Sequence, residues 1–394
     1  MSFTETRIGD VLTFQRGFDI TKAEQTDGEI PIVSSSGTSS YHNQWKVAGP
    51  GVVIGRKGTL GTTHFLASNF WPHDTTLWVK DFKGNDPKFL YYFLQTLHLE
   101  NFDTGSSNPT LNRNHVHKIT VRFPVLLEIQ KKISAILSAY DDLIANNQRR
   151  ITLLERMAED IYREWFVRLR FPGHEQVTIQ KGVPQGWALV KTEKAFKFYG
   201  GATPARDTPR FWQNGDVNWF TPTDITGADG MFLAASGEQC TDEGLRNCSS
   251  TLFPPYAVMM TSRATIGAIG INLTPACTNQ GFITCIPNEA YPLAYLYHWL
   301  KLGKPHFESL SGGSTFAELT KGTFKRMEIL TPTQALVQQF QQLVAPLFKA
   351  IETDLKANAS LKATRNALLP RLISGKLAVD ALGIRFPPGM SAAD

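Results

Sequence analysis

Two long stretches of the chain place apolar residues at the spacing of a helix. In the first, from Ile129 to Trp165, apolar positions recur alternately four and three residues apart, with one slip of four residues near Asn147. About 38 residues at a rise of about 1.5 Å per residue form a rod of roughly 57 Å. Because a long helix gains most of its stability from packing, this rod needs a partner along its whole apolar stripe.

The second stretch begins after Pro332 and ends at Ser374 and Gly375. We expect the two stripes to pack together as an antiparallel coiled coil. The alternative is that each helix folds back only over its own domain. Pro346 and Pro370 interrupt the second helix, so a kink and a frayed end are predicted. The predicted seam positions are Ile129, Ile133, Ile136, Tyr140, Leu143, Asn147, Ile151, Leu154, Ala158, Ile161 and Trp165 in the first helix, and Leu336, Phe340, Leu343, Leu347, Ile351, Leu355, Asn358, Leu361, Leu368 and Leu372 in the second.

The rest of the chain alternates short apolar runs with Gly, Pro, Ser and Asn. Short runs bounded by such residues predict strands, and a helix is predicted after each group of strands, at 87–99 and 291–302. This pattern is typical of two compact α+β domains, each followed by one long helix. The predicted strands are Ile30 to Ser34, Gly51 to Gly55, Thr75 to Val79, Val217 to Phe220, Ala257 to Thr261 and Gly281 to Ile286.

The two halves of the chain repeat each other. Arg56 and Arg263 each follow an apolar run, and they are 207 residues apart. The string Phe14–Gly17 resembles Phe198–Gly201 at an offset of only 184, so the second copy carries an insertion of about 23 residues. Further matches at offsets of 207 or 208 pair Thr104–Ser107 with Ser311–Ser314, Ile119–Val121 with Arg326–Ile329, Pro124 with Pro332, Gln130 with Gln338 and Leu153 with Leu361.

Gly173, Gly182, Pro184 and Gly186 predict a linker between the first long helix and the second copy. The predicted division is a first globular domain at 1–124, a long helix at 125–168, the linker at 169–186, a second globular domain at 187–332, a second long helix at 333–377 and a C-terminal tail at 378–394. Antiparallel helices would place the two domains at opposite ends of the rod, related by an approximate internal two-fold axis. Such a molecule suits a target with two parts.

Composition narrows the function classes. A hydrophobic content of 42% is ample for sizeable cores. We expect a cytoplasmic protein with no membrane partner, because the sequence shows neither a signal peptide nor 18 consecutive apolar residues. The net charge of +5 allows an anionic partner without indicating nucleic acid by itself. The cysteines lack the spacing of a zinc site, so no metal site is expected and they are interpreted as buried free thiols: Cys240, Cys248, Cys277 and Cys285.

No catalytic constellation emerges from the sequence. The segment Gly55 to Thr63 lacks the Lys-Ser/Thr ending of a phosphate-binding P-loop. The string Asn108-Pro109-Thr110 lacks the second proline and the aromatic ring of an adenine methyltransferase loop. Three polar pairs are expected to face solvent rather than to act chemically: His115 and His117, Asp141 and Asp142, and Glu159 and Asp160.

Residue types that read DNA are frequent in the loops. Arg, Lys, Asn, Ser and Thr contact phosphates, and Arg and Asn can form bidentate hydrogen bonds with guanine and adenine edges. Repetition in both copies favours Arg56 and Arg263 in particular, although each residue alone could be an ordinary turn or surface residue. The candidate DNA-binding residues are Ser35, Ser36, Arg56, Lys57, Thr62, Thr63, His64, Ser107, Asn108, Asn112, Arg113, Arg263, Thr265, Lys321 and Lys325.

The order of these parts resembles that of the specificity subunits of type I restriction-modification systems, over essentially the whole chain. One departure is Leu336, which stands where the family's second long helix would have Glu. The strings that carry the resemblance are Leu127–Ile133, similar to the beginning of that family's long helix; Tyr162–Phe166 with Phe171–Gly173, similar to the end of its central conserved region; Pro184–Trp187, similar to the start of a target-recognition domain; and Leu368–Leu377, similar to its distal conserved region.

The resemblance implies two target-recognition domains that each read one half of a bipartite site on double-stranded DNA. The helices would set the spacer and dock two methyltransferase subunits, and ATP-dependent motor and endonuclease subunits would complete the complex. The chain itself would have no catalytic residues and no cofactor, since S-adenosylmethionine, ATP and magnesium would bind to the partners. Two other hypotheses stay open at this point: a self-contained nuclease or methyltransferase, and a coiled-coil scaffold that binds only proteins.

Overall fold

The computed structural model describes residues 3–102, 110–312 and 317–386. The chain divides into two compact units. Unit 1 comprises Met1–Ala145 with Ala359–Asp394, and unit 2 comprises Asn146–Asn358. Each unit contains strands, short helices and a part of both long helices, which confirms the predicted α+β class.

Unit 1 begins with short strands and short helices whose positions follow the predicted apolar runs closely. Its strands are β1 Phe3–Arg7, β2 Thr13–Arg16, β3 Ile30–Ser34, β4 Gly37–His42, β5 Gly51–Gly55, β6 Thr63–Leu66, β7 Trp71–Pro72, β8 Thr76–Asp81 and β9 Thr120–Pro124. Its short helices are α1 Ile8–Val11, α2 Pro87–Gln95 and α3 Arg113–Val116, with a 3₁₀ turn at Leu99–Phe102.

The strands of unit 1 form two small sheets and one separate pair. The larger sheet has the order β2-β8-β5-β6, the smaller has the order β4-β3-β7, and β1 pairs with β9. Helix α2 begins where the Asp86 side chain accepts a hydrogen bond from Phe89 N at 2.6 Å, with Pro87 in the first turn. Its buried face, which includes Phe89 and Phe93, belongs to the same apolar core as Val52 of β5.

Unit 2 repeats this set of elements with additions, and both long helices pass through it. The remaining strands are β10 Ile179–Gln180, β11 Val183–Pro184, β12 Ala188–Lys191, β13 Phe198–Tyr199, β14 Val217–Phe220, β15 Phe232–Leu233, β16 Glu238–Cys240, β17 Val258–Thr261, β18 Ile269–Asn272, β19 Ala276–Thr278, β20 Phe282–Cys285 and β21 Glu328–Thr331. The remaining helices are α4 Leu127–Tyr162, α5 Thr192–Ala195, α6 Pro222–Thr226, α7 Asp242–Arg246, α8 Leu293–Leu302, α9 Lys304–Ser309, α10 Lys321–Arg326 and α11 Gln334–Ile373.

The sheets of unit 2 have the same plan as those of unit 1. Their orders are β13-β20-β17-β18-β15 and β16-β14-β19, and β12 pairs with β21. The strand at the end of the larger sheet, β15, has no counterpart among the described strands of unit 1. It lies with α6 and α7 between β14 and β17, so this interval holds most of the insertion predicted from the repeat.

Within unit 1, the first part of α4 packs with the last part of α11. Ile129 and Ile133 of α4 share one apolar core with Leu372 of α11. Farther along α4, Asp141 forms an ion pair with Arg365 of α11 and accepts a hydrogen bond from Tyr92 Oη at 2.5 Å. Asp141 is therefore not a solvent-facing charge as its position in the sequence suggested.

Within unit 2, the last part of α4 packs with the first part of α11. Asn147 Nδ2 donates to Asn358 Oδ1 at 2.9 Å, and Arg150 Nε lies 3.1 Å from Asp354 Oδ2. Tyr162, near the end of α4, packs edge-on against Phe340, near the start of α11. Residue numbers rise along one helix as they fall along the other, so in each unit the two helices pack antiparallel, as predicted.

Several details of the predicted helices are wrong. Leu143 and Leu343, both assigned to the seams, are 52% and 49% exposed. Helix α11 continues through Pro346 and Pro370, so neither proline interrupts it as predicted. The buried Val344 and Phe348 hold the helix on both sides of Pro346. Glu159, expected to face solvent, accepts hydrogen bonds from Arg163 and lies 3.0 Å from Lys301 Nζ.

Gln130, near the start of α4, is fully buried and has three hydrogen bonds. Its Oε1 accepts from Asp86 N at 2.9 Å, and its Nε2 donates to Asn85 Oδ1 at 2.7 Å and to Pro124 O at 3.0 Å. The sequence repeat pairs Gln130 with Gln338, but Gln338 is exposed. The order of buried residues along the two helices instead pairs Gln130 with Val337. Each of them directly follows the first buried residue of its helix, Ile129 in α4 and Leu336 in α11.

The linker and the cysteines lie in unit 2. Gly173, Gly182 and Gly186 all have positive φ, and the segment between the last two belongs to a small hairpin of β10 and β11.

All four cysteines are free thiols. Cys248 is only half-buried, which corrects its expected burial, whereas the other three are buried.

Candidate nucleic-acid interface

The loop after β5 presents two cations from a tightly constrained backbone. Gly55 N donates to Thr62 O at 2.8 Å, and Gly61 N donates to Gly55 O at 3.0 Å. Gly58 and Gly61 have φ values of 74° and 71°, a region in which side chains with a Cβ are strained. Lys57 is exposed at the tip of this loop, and Arg56 beside it is half-buried.

Asp74 contacts three cations of unit 1, two through its carboxylate and one through its backbone carbonyl. Arg16 Nη2 lies 2.9 Å from Asp74 Oδ2, and Lys57 Nζ lies 3.9 Å from the same oxygen. Arg56 Nη1 donates to the backbone carbonyl of Asp74 at 3.4 Å. Partial burial and, secondarily, the neighbouring charge of Arg16 lower the pKa of Arg56. The guanidinium stays charged, since an arginine remains protonated at neutral pH even after such a shift.

A cavity of about 430 Å³ opens between this cluster and the start of α3. Asn112 caps α3 by accepting from Asn114 N at 2.9 Å. Three guanidinium groups line one space, which attracts an anion such as a nucleic-acid phosphate. The lining residues are Arg16, Arg56, Leu77, Thr110, Leu111, Asn112, Arg113 and His115.

The polar residues between β3 and β6 divide into exposed and structural ones. Ser35 is buried, and its carbonyl accepts a hydrogen bond from His64 Nε2 at 3.1 Å. Thr62 and Thr63 donate their hydroxyl groups to nearby backbone carbonyls. Ser36 remains exposed at the turn. Of these five candidates, Ser36 is the one whose side chain is best placed to meet a ligand.

The two histidines near α3, His115 and His117, differ in their exposure. His115 is exposed at the cavity, but His117 is half-buried, stacks on Phe14 and accepts a hydrogen bond from Phe14 N at 2.9 Å. Burial lowers the pKa of His117, with a further contribution from Arg113. His115 therefore faces solvent as predicted, whereas His117 does not. Ser107 and Asn108 lie outside the described residues.

Unit 2 has a loop of the same backbone geometry after β17. Thr261 N donates to Ala268 O at 2.9 Å, and Gly267 N donates to Thr261 O at 2.9 Å. Ala264 and Gly267 have φ values of 56° and 79°. These features match those of the first loop at an offset of 206.

This correspondence changes the pairing inferred from the sequence. The residues with positive φ pair Gly58 with Ala264 and therefore Lys57 with Arg263. Arg56 corresponds to the buried Ser262 rather than to Arg263. Arg56 N donates to Thr75 O at 2.8 Å, and Ser262 N donates to Gly281 O at the same distance, which supports the revised pairing. The residue repeated in both units is therefore not the predicted arginine at position 56. It is an exposed cation at the next position, Lys57 in unit 1 and Arg263 in unit 2.

The cations predicted in unit 2 are more dispersed than those in unit 1. Arg263 Nε lies 2.9 Å from Glu318 Oε1. Lys321 lies over Gly200, where a Cβ would overlap its Cε atom. Lys325 lines a different cavity, of about 510 Å³, together with Lys194 and Lys197 among others. Thr265 is exposed in the loop itself.

Arg16 and Asp74 were not among the DNA-binding residues predicted from the sequence. Arg16 stands within the repeated string Phe14–Gly17, and that position could have identified it. Asp74 is 58 residues away from Arg16 in the chain, so no local pattern relates the two.

Neither a cluster of metal ligands nor a membrane-spanning helix is found in the described part of the chain. Within residues 3–102, 110–312 and 317–386, no cluster of His, Cys, Asp and Glu could hold a metal ion. None of the helices in this part of the chain is long and apolar enough to cross a membrane.

Comparison with known proteins identifies related chains. The type I restriction enzyme MjaIX specificity subunit of Methanocaldococcus jannaschii is 30% identical over 200 residues, which are 50% of this chain and 46% of that protein. A putative type I specificity subunit of Mycoplasma pneumoniae is 24% identical over 352 residues, 87% of this chain and 88% of that protein. This chain thus spans less than half the length of the first relative and most of the second.

A solved structure has the same fold. The S subunit of a type I restriction-modification system from M. genitalium aligns with a TM-score of 0.63 and 17% identity, covering 94% of this chain and 96% of that one. The family described as the type I restriction modification DNA specificity domain matches residues 2–156 and 184–363. Since these two segments make up most of the sequence, the chain belongs to the family of type I restriction-modification DNA specificity domains.

Proposed function

We propose that the chain is the DNA-specificity subunit of a type I restriction-modification complex and that each unit reads one half of a bipartite site on double-stranded DNA. The observation that carries this proposal is the duplicated loop, which presents Lys57 and Arg263 at equivalent exposed positions. Two similar readers in one chain suit a target made of two separate half-sites.

The chemistry of unit 1 fits a DNA duplex. Phosphate contacts from Lys and Arg provide affinity and position the protein, and guanidinium groups can also read guanine edges. Arg16, Arg56 and Arg113 line one cavity, and Lys57 stands beside it. Binding through such contacts weakens as the salt concentration rises, because the bound counterions of the DNA are released.

The long helices supply surface for protein partners. Leu153 and Met157 lie one turn apart on α4 in unit 2 and are 61% and 51% exposed. Exposed apolar residues at neighbouring helix positions suit a protein interface. In our proposal, two methyltransferase subunits dock on the helices, and ATP-dependent motor and endonuclease subunits join the complex.

The chain in this proposal is not an enzyme and binds no cofactor of its own. The partner subunits would bind S-adenosylmethionine, ATP and magnesium and carry out methylation, translocation and cleavage. Its place of action would be the cytoplasm, where the DNA target is found. The helices would set the spacer between the half-sites.

The test is expression of the chain with and without the methyltransferase subunits of its host, followed by mapping of adenine methylation. We expect methylation at one bipartite motif with a fixed spacer, and only when both components are present. The purified chain alone, supplied with S-adenosylmethionine, ATP and magnesium, should neither methylate nor cut a plasmid. Activity of the chain alone would support a self-contained enzyme, and the absence of any salt-sensitive DNA binding would support a protein scaffold.

A further inference from the structure

The two units hold their loops in the same backbone frame. We use the term shared frame for the backbone positions whose hydrogen bonds recur in both units. Beyond the bonds of Arg56 and Ser262 described above, Leu111 N and Leu319 N donate to the carbonyl groups of these two residues at 2.9 Å in each unit. His73 N donates to Val33 O at 2.9 Å, and Asn279 N donates to Phe220 O at 3.0 Å.

Two glycines complete the shared frame. A Cβ on Gly17 would overlap the carbonyl oxygen of His73, and a Cβ on Gly201 would overlap the carbonyl oxygens of Thr278 and Asn279. The chain therefore passes closely over the same turn in both units. Equivalence of backbone positions around this turn makes the side chains they carry directly comparable.

The side chains on the shared frame differ between the units. Unit 1 carries a dense set of charges, whereas unit 2 carries fewer charges and more neutral groups. The equivalent positions, unit 1 first, are Arg16 and Gly200, Arg56 and Ser262, Lys57 and Arg263, Asp74 and Gln280, and Arg113 and Lys321. A common frame with different side chains is what two readers of different DNA sequences require.

The position of Asp74 and Gln280 differs in charge between the two units. In unit 1 the Asp74 carboxylate holds Arg16 at 2.9 Å and Lys57 at 3.9 Å. In unit 2 the neutral Gln280 is exposed and accepts a hydrogen bond from Thr203 Oγ1 at 2.7 Å. Arg263, the equivalent of Lys57, is paired with Glu318 from a different segment.

We propose that Asp74 and Gln280 occupy a specificity-determining position, which selects bases in the half-site of each unit. Asp74 is a positioning residue, since its carboxylate, 2.9 Å from Arg16 Nη2, fixes the direction of the Arg16 guanidinium. Gln280 contacts DNA directly, because a glutamine amide both donates and accepts and matches the edge of adenine. This inference rests on the proposed function as a DNA-specificity subunit.

Exchange of the two side chains tests the proposal. Asp74→Gln removes the negative charge between two cations, so Arg16 loses its orientation. We expect the base preference at one or more positions of the unit 1 half-site to fall roughly tenfold, the range of one lost bidentate contact. Gln280→Asp introduces a carboxylate at the position equivalent to Asp74 and removes the amide of Gln280, so it should change the preference in the other half-site only.

The assay is methylation mapping of the full chain expressed with its methyltransferase partners. A merely structural role would lower methylation at every site equally, whereas a specificity role changes the motif in one half and leaves the other half and the spacer intact. Matched controls are Asp27→Asn in unit 1 and Gln213→Asp in unit 2, both at exposed residues. These controls should leave the motif unchanged.

The outcomes separate the inference from the function on which it rests. If the wild-type complex shows no bipartite motif, the proposed function fails. If the wild-type motif is present and both exchange variants methylate it with unchanged bases in both halves, the specificity-determining position is refuted. Should thermal unfolding show that Asp74→Gln does not fold, Gln280→Asp and Gln280→Ala decide the question in unit 2, because Gln280 is neutral and exposed.

Discussion

Gln130 provides a quantitative test of how α4 is anchored in unit 1. Replacement by Leu gives an apolar side chain of comparable bulk but removes all three hydrogen bonds, two of which join backbone groups, Asp86 N and Pro124 O. A buried polar group left without a partner costs about 1–3 kcal/mol. Since Asp86 is half-buried and Pro124 is buried, we expect Gln130→Leu to lower the free energy of unfolding by about 2–4 kcal/mol.

The measurement is thermal and urea unfolding of the full chain. For a unit of this size, each kcal/mol shifts the Tm by about 2–4 °C, so the transition of unit 1 should fall by roughly 5–15 °C. Gln338→Leu is the matched control, because Gln338 is the sequence counterpart of Gln130 and is exposed. Its effect should stay within about 0.5 kcal/mol. Equal effects of the two substitutions would refute the reasoning.

Three further predictions concern DNA binding, pH and helix length. Lys57→Ala and Arg263→Ala should each weaken binding to DNA of any sequence and reduce the slope of log affinity against log salt by about one. Fluorescence anisotropy measures this slope, and an unchanged slope would contradict the phosphate contacts of these two residues. Burial lowers the pKa of His298 to about 4 from 6.5, so the unfolded chain binds the proton first and the stability of unit 2 should fall by about 3 kcal/mol as the pH drops from about 6.5 to 4. His298→Phe should flatten this dependence in urea titrations, and an equally steep profile in the variant would assign it to other groups. Seven residues inserted after Gln148, matched by seven in the facing part of α11, add about 10 Å of helix. Methylation mapping should then show a changed gap between the half-sites and unchanged bases within them. A changed base with an unchanged gap would contradict the role of the helices.

The long helices could be predicted from the sequence because their apolar positions recur over many turns. The seam amides Asn147 and Asn358 were assigned correctly, and their side chains are hydrogen-bonded. Leu143 and Leu343 were not, because the spacing of apolar residues does not distinguish a seam position from one that faces outward. An exposed apolar residue and a buried one follow the same period.

The loops were predicted less accurately for a different reason. Matching Arg56 to Arg263 relied on residue type, but the equivalence of the loops is set by backbone conformation at Gly58 and Ala264. The conformation of Ala264 is not visible in its residue type, since alanine rarely adopts positive φ. The role of Asp74 depends on contacts between segments that are distant in the chain, which a single sequence does not reveal.

The hydrogen-bonded pair Asn147 and Asn358 has a consequence for alignment of the helices. An apolar stripe with a regular repeat can slide by one repeat and still bury its side chains. After such a slide each amide would face apolar groups without a partner, at a cost of about 1–3 kcal/mol for each. The pair therefore fixes the register of α4 against α11 in unit 2. A change in the length of one helix is tolerated only when the other helix changes by the same length.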